Sequence, residues 1–187
     1  MGAVWSSYLS ALDTSPLRTK TATSIFITAL GNVTSQLVQS RQVKDWGAVK
    51  MYATWGLILA PFNHAWQNAI AAYGPGSLVG KIVVDHLLWK VPIVWAFITF
   101  TKLYGGAQLG AAMKEGTRLS QWNGDIQIAS VKSWPLIQVF NFWVVPLKLR
   151  VLYMNTSLLF WIVYLAIKLR KGDGGSGKKG GKAGKKE

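Results

Sequence analysis

The sequence predicts an all-α integral membrane protein with about four transmembrane helices and an additional, broken helix around Pro146. Half of its 187 residues are hydrophobic and 15% are charged, whereas an average soluble domain is about one quarter charged. Long uncharged runs occur at 55–60 and 91–100. Polar residues between 134 and 155 have apolar runs on both sides, so they must be hydrogen-bonded inside the protein or line a wet cavity. The length fits one domain.

The first eighteen residues are expected to form an amphipathic helix at the membrane surface. Trp5, Tyr8, Leu9 and Leu12 follow one another at helical spacing, and aromatic side chains anchor such helices at the membrane–water interface. A cleavable signal peptide needs a basic start and a continuous apolar stretch, and this segment has neither. We therefore assign residues 1–18 to an amphipathic N-terminal segment and residues 19–167 to the transmembrane domain.

Residues 19–39 form the first predicted span, which is weak by hydropathy. Its small residues recur at spacings of three and four and so share one helical face: Thr21, Ser24, Thr28, Gly31 and Ser35. Such a face lets a second helix approach closely in lipid, and the alternative is a stripe that faces water in a pore. Residues 48–70 form the second span, in which Pro61 removes a backbone hydrogen bond and predicts a kink.

Polar residues follow Pro61 at once in the second span. Spacings of three and four bring His64, Gln67 and Asn68 near one helical face. Because His86 is the only other histidine and the chain has no cysteine, hydrogen bonding is favoured over metal binding at His64. The lack of cysteine also excludes disulfides and thiol catalysis.

The third predicted span, residues 81–104, carries three ionisable residues near its start: Asp85, His86 and Lys90. An ionisable residue inside a span is a candidate functional residue. The structural alternatives are that Lys90 extends toward the interface and that Asp85 pairs with an arginine of another helix. We expect the small residues at 105–112 to extend this helix, and residues 114–132 to form a long polar connection.

The segment from Ser133 to Ile167 is too long for one straight span. Its thirty-five residues would reach about 50 Å as one helix, whereas a bilayer core needs about twenty residues. The predicted break is Pro146, which Lys148 and Arg150 follow. One half would span the bilayer, and the other would be tilted, interfacial or packed against the bundle. Four spans would place both termini on the same side.

The net charge of +14 is concentrated at the carboxyl end. Residues 168–187 hold eight Lys or Arg against Asp173 and Glu187, and their glycine- and lysine-rich composition predicts a disordered tail. The expected partners are the lipid bilayer and, for the tail, its anionic headgroups. No aromatic residue lies among these lysines, which argues against nucleic-acid binding.

Several motifs resemble the Mpv-seventeen and peroxisomal membrane protein family of small four-span organelle membrane proteins. The most specific one runs through Trp134-Pro135, Gln138, Asn141-Phe142, Val145-Pro146 and Arg150. Shorter matches lie at Ala60-Pro61-x-x-His64-x-Trp66, at Lys81-x-x-x-Asp85-His86 and at Trp161-x-x-Tyr164-Leu165. The chain departs from the family pattern where Asn32, Gln67 and His86 stand in place of a usual Asp, Tyr and Gln.

The resemblance implies a weakly selective channel for small metabolites in the mitochondrial inner membrane or, alternatively, in the peroxisomal membrane. The alternative function is a structural accessory subunit of a larger membrane protein complex, with no transport activity of its own. A homo-oligomer or a larger membrane complex is a further expected partner. No nucleophile, metal-ligand set or cofactor motif is recognisable, so we predict neither an enzyme nor a cofactor. The candidate residues, as a pore lining or as a buried polar network, are His64, Asp85, Gln138, Asn141 and Arg150.

Overall fold

The computed structural model describes residues 2–120 and 125–176, and side chains within 2–117 and 132–164. The described residues form helices and turns with no strand, which confirms the all-α prediction. The helices are α1 (Gly2–Thr14), α2 (Pro16–Ser40), α3 (Trp46–Tyr73), α4 (Leu78–Asp85), α5 (Val91–Tyr104), α6 (Leu109–Ser120), α7 (Asp125–Trp143) and α8 (Arg150–Ser176). A π-helical turn at His86–Lys90 joins α4 to α5, and a 3-10 turn at Leu147–Leu149 precedes α8.

Helices α2 and α3 form an antiparallel hairpin whose turn is fixed by one side chain. Arg41 takes a left-handed conformation (φ 59°), and its amide donates to the Leu37 carbonyl to end α2. The Gln36 Oε1 atom then accepts the backbone amides of Lys44 and Asp45 at 3.0 and 2.9 Å. The amide side chain thus satisfies turn donors that neither helix reaches.

The small-residue face of α2 packs against both α3 and α8. Ser24, Thr28 and Gly31 are buried, and a Cβ added at Gly56 of α3 would lie 2.7 Å from the Ser24 carbonyl oxygen. The Asn155 Nδ2 atom of α8 donates to Ser24 Oγ at 2.5 Å. Close approach through small residues, with one interhelical hydrogen bond, is the packing that lipid-embedded helices use.

The contacts fix the direction of each helix. Because Ser24 meets Asn155 while Gly31 faces Leu159 and Ile162, α8 runs parallel to α2. Aromatic residues in the first half of α3 contact the second half of the segment formed by α4 and α5, and aromatic residues in the second half of α3 contact the middle of that segment. Helices α4 and α5 therefore run antiparallel to α3. Trp55 packs on Phe97 at 5.2 Å and Trp66 stacks on Trp89 at 5.4 Å between ring centroids.

The segment Leu78–Tyr104 is continuous over 27 residues, and among the described helices it alone is both long and apolar enough to cross a membrane. Within it, the Val91 amide bonds the His86 carbonyl, one residue wider than an α-helical bond. Pro92 supplies no amide hydrogen, so the regular bonding pattern is interrupted here and a π-turn accommodates the break. This turn was not predicted from the sequence.

The connection after α5 differs from the expected extension of that helix. Gly106 has φ +88°, a conformation that a side chain disfavours, and the chain reverses there. Helix α6 then packs back along α5, where Trp95 Nε1 donates to Thr117 Oγ1 at 3.2 Å. Much of the predicted polar connection at 114–132 is therefore helical, in α6 and in the first turns of α7.

The break at Pro146 occurs where it was predicted, and it reverses the chain. Helix α7 ends at Trp143, and α8 begins at Arg150 after the 3-10 turn. Trp134 meets Trp161 at 6.3 Å, so α7 and α8 form an antiparallel hairpin. Helix α8 continues to Ser176, past the boundary expected at residue 168. The remainder of the predicted tail, residues 177–187, lies outside the described residues.

Candidate functional site

Asp85 at the end of α4 is the centre of a buried hydrogen-bonded cluster. Its side chain is 2% exposed. The Trp66 Nε1 atom of α3 donates to Asp85 Oδ1 at 2.7 Å, and Gln138 Nε2 of α7 donates to Asp85 Oδ2. The carboxylate therefore joins three elements through an indole and an amide, and not through an arginine, which the sequence left as one alternative.

The cluster extends from Asp85 as a directed chain of amides. Asn141 Nδ2 donates to Gln138 Oε1 at 2.9 Å and lies 3.4 Å from Gln67 Oε1. An ionised carboxylate only accepts hydrogen bonds, so Asp85 fixes the orientation of the Gln138 amide. That amide in turn presents its oxygen to Asn141. Asp85 thus sets the direction of the donors and acceptors around it.

Three amide atoms near these residues have no hydrogen-bond partner in the part of the protein that the structure describes: Asn63 Oδ1, Gln67 Nε2 and Asn141 Oδ1. All three residues are buried. A buried polar atom without a partner costs about 1–3 kcal/mol, so this cluster can bind further polar groups. It differs in this respect from a self-contained packing network.

Lys90, in the π-helical turn, reaches α7 beside the cluster. Its Nζ atom lies 4.3 Å from the centre of the Trp134 ring and has no hydrogen-bond partner. A cation over the face of an indole is held by the electrostatics of the ring. The extra residue of the π-turn changes which way the following side chains point.

His64 lies next to the cluster on α3 but points to a different neighbour. Its Nδ1 atom is 3.0 Å from Lys20 Nζ of α2, and Asn68 Nδ2 lies 3.3 Å from its Nε2 atom. Trp66, two residues further along α3, donates to Asp85, and two residues turn a helical side chain by about 200°, so His64 faces α2 instead. His64 and Asp85 are thus not brought together.

Arg150 also lies apart from the Asp85 chain, because it follows the reversal. It donates from Nε to the Val145 carbonyl at 3.2 Å and from Nη2 to the Phe142 carbonyl at 3.4 Å. These carbonyls belong to the last turn of α7 and to the break, which leave acceptors unsatisfied. Arg150 caps α7, and its Nη1 atom is buried without a partner.

The polar side chains nevertheless share one level of the bundle, which we call the polar layer. The bonds Lys20–His64 and Trp66–Asp85 link α2, α3 and α4. The bond between Asp85 and Gln138 adds α7, and the parallel course of α8 brings its first turn beside Lys20. The polar layer consists of Lys20, Asn63, His64, Trp66, Gln67, Asp85, Gln138, Asn141 and Arg150.

Sequence reasoning did not include four members of the polar layer in the candidate site: Lys20, Asn63, Trp66 and Gln67. The sequence contained signals for three of them. Gln67 follows Asn63 by four residues, which places both on one helical face. Trp66 carries an indole N–H that needs an acceptor when buried. Nothing in the spacing along the chain indicated that Lys20 would meet His64.

The outer surface of the bundle is apolar. Phe26, Leu88 and Phe160, on three different elements, are 66%, 64% and 68% exposed. Soluble monomers rarely expose apolar area on this scale, and lipid covers it at no such cost. An apolar exterior around a buried polar layer defines a small helical membrane protein.

Comparison with known proteins identifies the family. The profile of the Mpv17 / PMP22 family matches residues 118–166, the part that holds the Trp134–Arg150 motif. PXMP2/4 family protein 3 of Dictyostelium discoideum is 31% identical over 173 residues, which cover 88% of this chain and 90% of that protein. The chain belongs to the Mpv17/PMP22 family.

Other relatives are similar over most of their length. Peroxisomal membrane protein 2 of Bos taurus is 28% identical over 86% of this chain and 87% of its own. The mitochondrial inner membrane protein Mpv17 of Homo sapiens is 25% identical over 90% of this chain and 99% of its own. No solved structure matches the chain.

Proposed function

We propose that the chain forms a weakly selective path for small polar metabolites across an organelle membrane, with the polar layer as its hydrated part. The observation that carries this proposal is the set of three buried amide atoms without protein partners: Asn63 Oδ1, Gln67 Nε2 and Asn141 Oδ1. The part of the layer around Asp85 offers uncharged donors and acceptors with one carboxylate, and such a lining suits polar solutes of varied structure better than one dedicated ligand.

In this proposal the four long segments α2, α3, Leu78–Tyr104 and α8 cross the bilayer. Their lengths of 25, 28, 27 and 27 residues exceed the roughly twenty residues that a bilayer core requires. Helices α2, α3 and α8 are less apolar than Leu78–Tyr104, and they bury polar side chains such as Thr28, Gln67 and Asn155 inside the bundle. Helices α6 and α7 in series bring the chain back between the third and fourth segments. This return pass separates the start of α2 from the end of α8, so the termini would lie on opposite sides.

The membrane is proposed from the relatives. Their names place one in peroxisomes and another in the mitochondrial inner membrane, and we propose the mitochondrial inner membrane with the peroxisomal membrane as the alternative. Expression of a tagged chain, followed by separation of the two organelles, decides between them. Protease protection of tags at each end tests the opposite placement of the termini.

The first test is electrical. The purified chain in planar bilayers should give currents above those of a matched preparation without it, and Asp85→Asn should change the preference between cations and anions. Asp85 bears the only carboxylate among the described residues of the polar layer. Currents no larger than the background would reject the path.

The second test asks whether water reaches the polar layer, and it uses the lack of cysteine in this chain. In reconstituted membranes, Asn63→Cys should react with a water-soluble thiol reagent. Ala60→Cys is the matched control, since Ala60 is equally buried and lies one turn away on α3. Equal protection of both cysteines would argue for a dry layer.

The second candidate function is a structural subunit of a larger membrane complex. Its supporting observation is that Asp85, Gln138 and Asn141 bond one another across the bundle, as residues that fix helix packing would. Migration on a native gel in mild detergent separates the two. A large complex with no current favours the subunit, and a small species with current favours the path.

A further inference from the structure

The pair Lys20 and His64 consists of two basic side chains held together inside the bundle. Lys20 is 4% exposed, yet its Nζ atom lies 3.0 Å from an imidazole nitrogen and not beside a carboxylate. Two basic groups at this distance repel each other when both are protonated. A buried ammonium is normally paired with an acid.

The described carboxylates of this part of the bundle are already occupied. Asp85 accepts from Trp66 and Gln138, and Asp13 is paired with Lys148 at 3.1 Å. The other acidic residues whose side chains the structure describes are Asp45, which caps the start of α3, and Glu115 in α6. Lys20 is therefore a buried cationic group for which the described residues provide no counter-charge.

Further donors surround the pair. Asn68 is exposed and lies 3.3 Å from His64, so the pair opens toward the outside of the bundle along α3. The bond between Ser24 and Asn155 aligns α2 with α8, and one turn earlier on each helix brings the start of α8 beside Lys20. Val151 is fully buried there, whereas the Arg150 guanidinium turns back to the Phe142 and Val145 carbonyls.

We infer that Lys20, His64 and Asn68 bind a phosphate group at the end of the bundle where α2 begins. The oxygen atoms of a phosphate group accept several hydrogen bonds, and their negative charge neutralises both basic side chains at once. Lys20 lies in the second turn of α2, near the end of the bundle where that helix begins. Basic sites between transmembrane helices bind such headgroups. A free phosphorylated solute offers the same chemistry.

The test measures binding and is independent of conduction. The full chain is placed in nanodiscs of phosphatidylcholine, and its melting temperature is followed as inorganic phosphate is added against sodium chloride of equal ionic strength. A second set of nanodiscs contains phosphatidylglycerol. Phosphate at about ten times its Kd should raise the melting temperature by about 3–6 °C.

Three variants make the result specific. Lys20→Met and His64→Gln should each remove most of this rise. Arg18→Met is the matched control, because Arg18 is an exposed basic residue two positions away on the same helix, and it should respond as the wild type does. His64→Gln keeps a hydrogen-bonding side chain, so it remains informative if Lys20→Met does not fold.

The two sources of phosphate give different outcomes. A saturable rise with inorganic phosphate supports a free anion as the ligand, and a rise with phosphatidylglycerol alone supports a lipid headgroup. The proposal is overturned if neither source raises the melting temperature. It is also overturned if both Lys20→Met and His64→Gln respond as fully as the wild type. If phosphate raises the melting temperature but the protein gives no current in planar bilayers, the phosphate site is retained and the proposed conducting path is rejected.

Discussion

The bond between Gln138 and Asp85 is the interaction that we expect to be most sensitive to substitution. In the variant Gln138→Met, the side chain keeps its approximate length and loses its donor and acceptor. The Asp85 carboxylate then keeps only the Trp66 indole as a donor, and the Asn141 amide loses the acceptor that lies 2.9 Å away. One change therefore leaves two buried groups short of partners.

Two magnitudes bound the expected loss. Hydrogen bonds between membrane helices average about 0.6 kcal/mol, whereas bonds to charged groups contribute about 1.5–3 kcal/mol. The charged acceptor and the 2% exposure of Asp85 favour the upper range. We expect Gln138→Met to cost about 2 kcal/mol, which corresponds to about 4–8 °C in melting temperature for a chain of this size.

A double-mutant cycle with Asp85→Leu identifies the cause. Asp85→Leu alone leaves the donors of Trp66 and Gln138 unpaired, while the double variant removes the Gln138 donor as well. Thermal unfolding in detergent, followed by far-UV circular dichroism, should show the double variant losing about 1–2 kcal/mol less than the sum of the single losses. Gln39→Met, an exposed glutamine, should change stability by less than about 0.5 kcal/mol. Strictly additive losses would refute the bond.

Three further predictions concern the helix contacts. Gly56→Ala should lower the melting temperature by several degrees, because its Cβ would lie 2.7 Å from the Ser24 carbonyl oxygen. The control Gly110→Ala should leave the melting temperature unchanged, because a Cβ there would have no atom within 4 Å. Equal effects of the two substitutions would contradict the close approach of α2 and α3. Asn155→Leu should cost about 1 kcal/mol in thermal unfolding, and no loss would deny its bond to α2 any role in stability. Arg150→Met should expose the end of α7 to faster backbone hydrogen exchange, and unchanged exchange rates there would contradict the capping role.

The break near Pro146 was predictable because it follows from length. A helix from Ser133 to Ile167 would be much longer than a bilayer is thick, and Pro146 was the strongest interruption within it. The reversal that accompanies the break was not predictable in this way. It depends on which helices α7 and α8 contact, and the bonds from Asp85 to Gln138 and from Ser24 to Asn155 join residues distant in sequence.

The turn at Gly105 and Gly106 shows a different limit. Small residues at regular spacing predict helix packing in lipid, and the Gly-Gly pair is also a turn signal. We predicted that these residues extend the helix, and the left-handed conformation of Gly106 shows a turn instead. Periodicity alone cannot separate them, because α6 continues the same helical pattern after the reversal.

The candidate site was partly predictable for a related reason. Gln138 and Asn141 are three residues apart on one helix, so their proximity follows from helical geometry, and both lie in the polar layer. His64 and Arg150 belong to the same layer but bond other groups, since their directions depend on neighbours from α2 and from the break. Helical spacing predicts which residues share a face, but the partner of that face is set by the packing of the whole bundle.

The position of the polar layer separates two properties of the proposed path. The layer lies toward the end of the bundle where α2 and α8 begin. Toward the other end, the space between α3 and α5 is filled by Tyr52, Trp55, Phe97 and Phe100, with ring centroids 5.2–5.5 Å apart. Water bound by the layer would meet this aromatic cluster before it reached the opposite side. Thiol labelling of a cysteine at residue 63 therefore reports whether water reaches the polar layer. A current requires in addition that the aromatic rings move apart. A chain that is labelled at residue 63 but does not conduct would therefore locate the barrier at the aromatic rings.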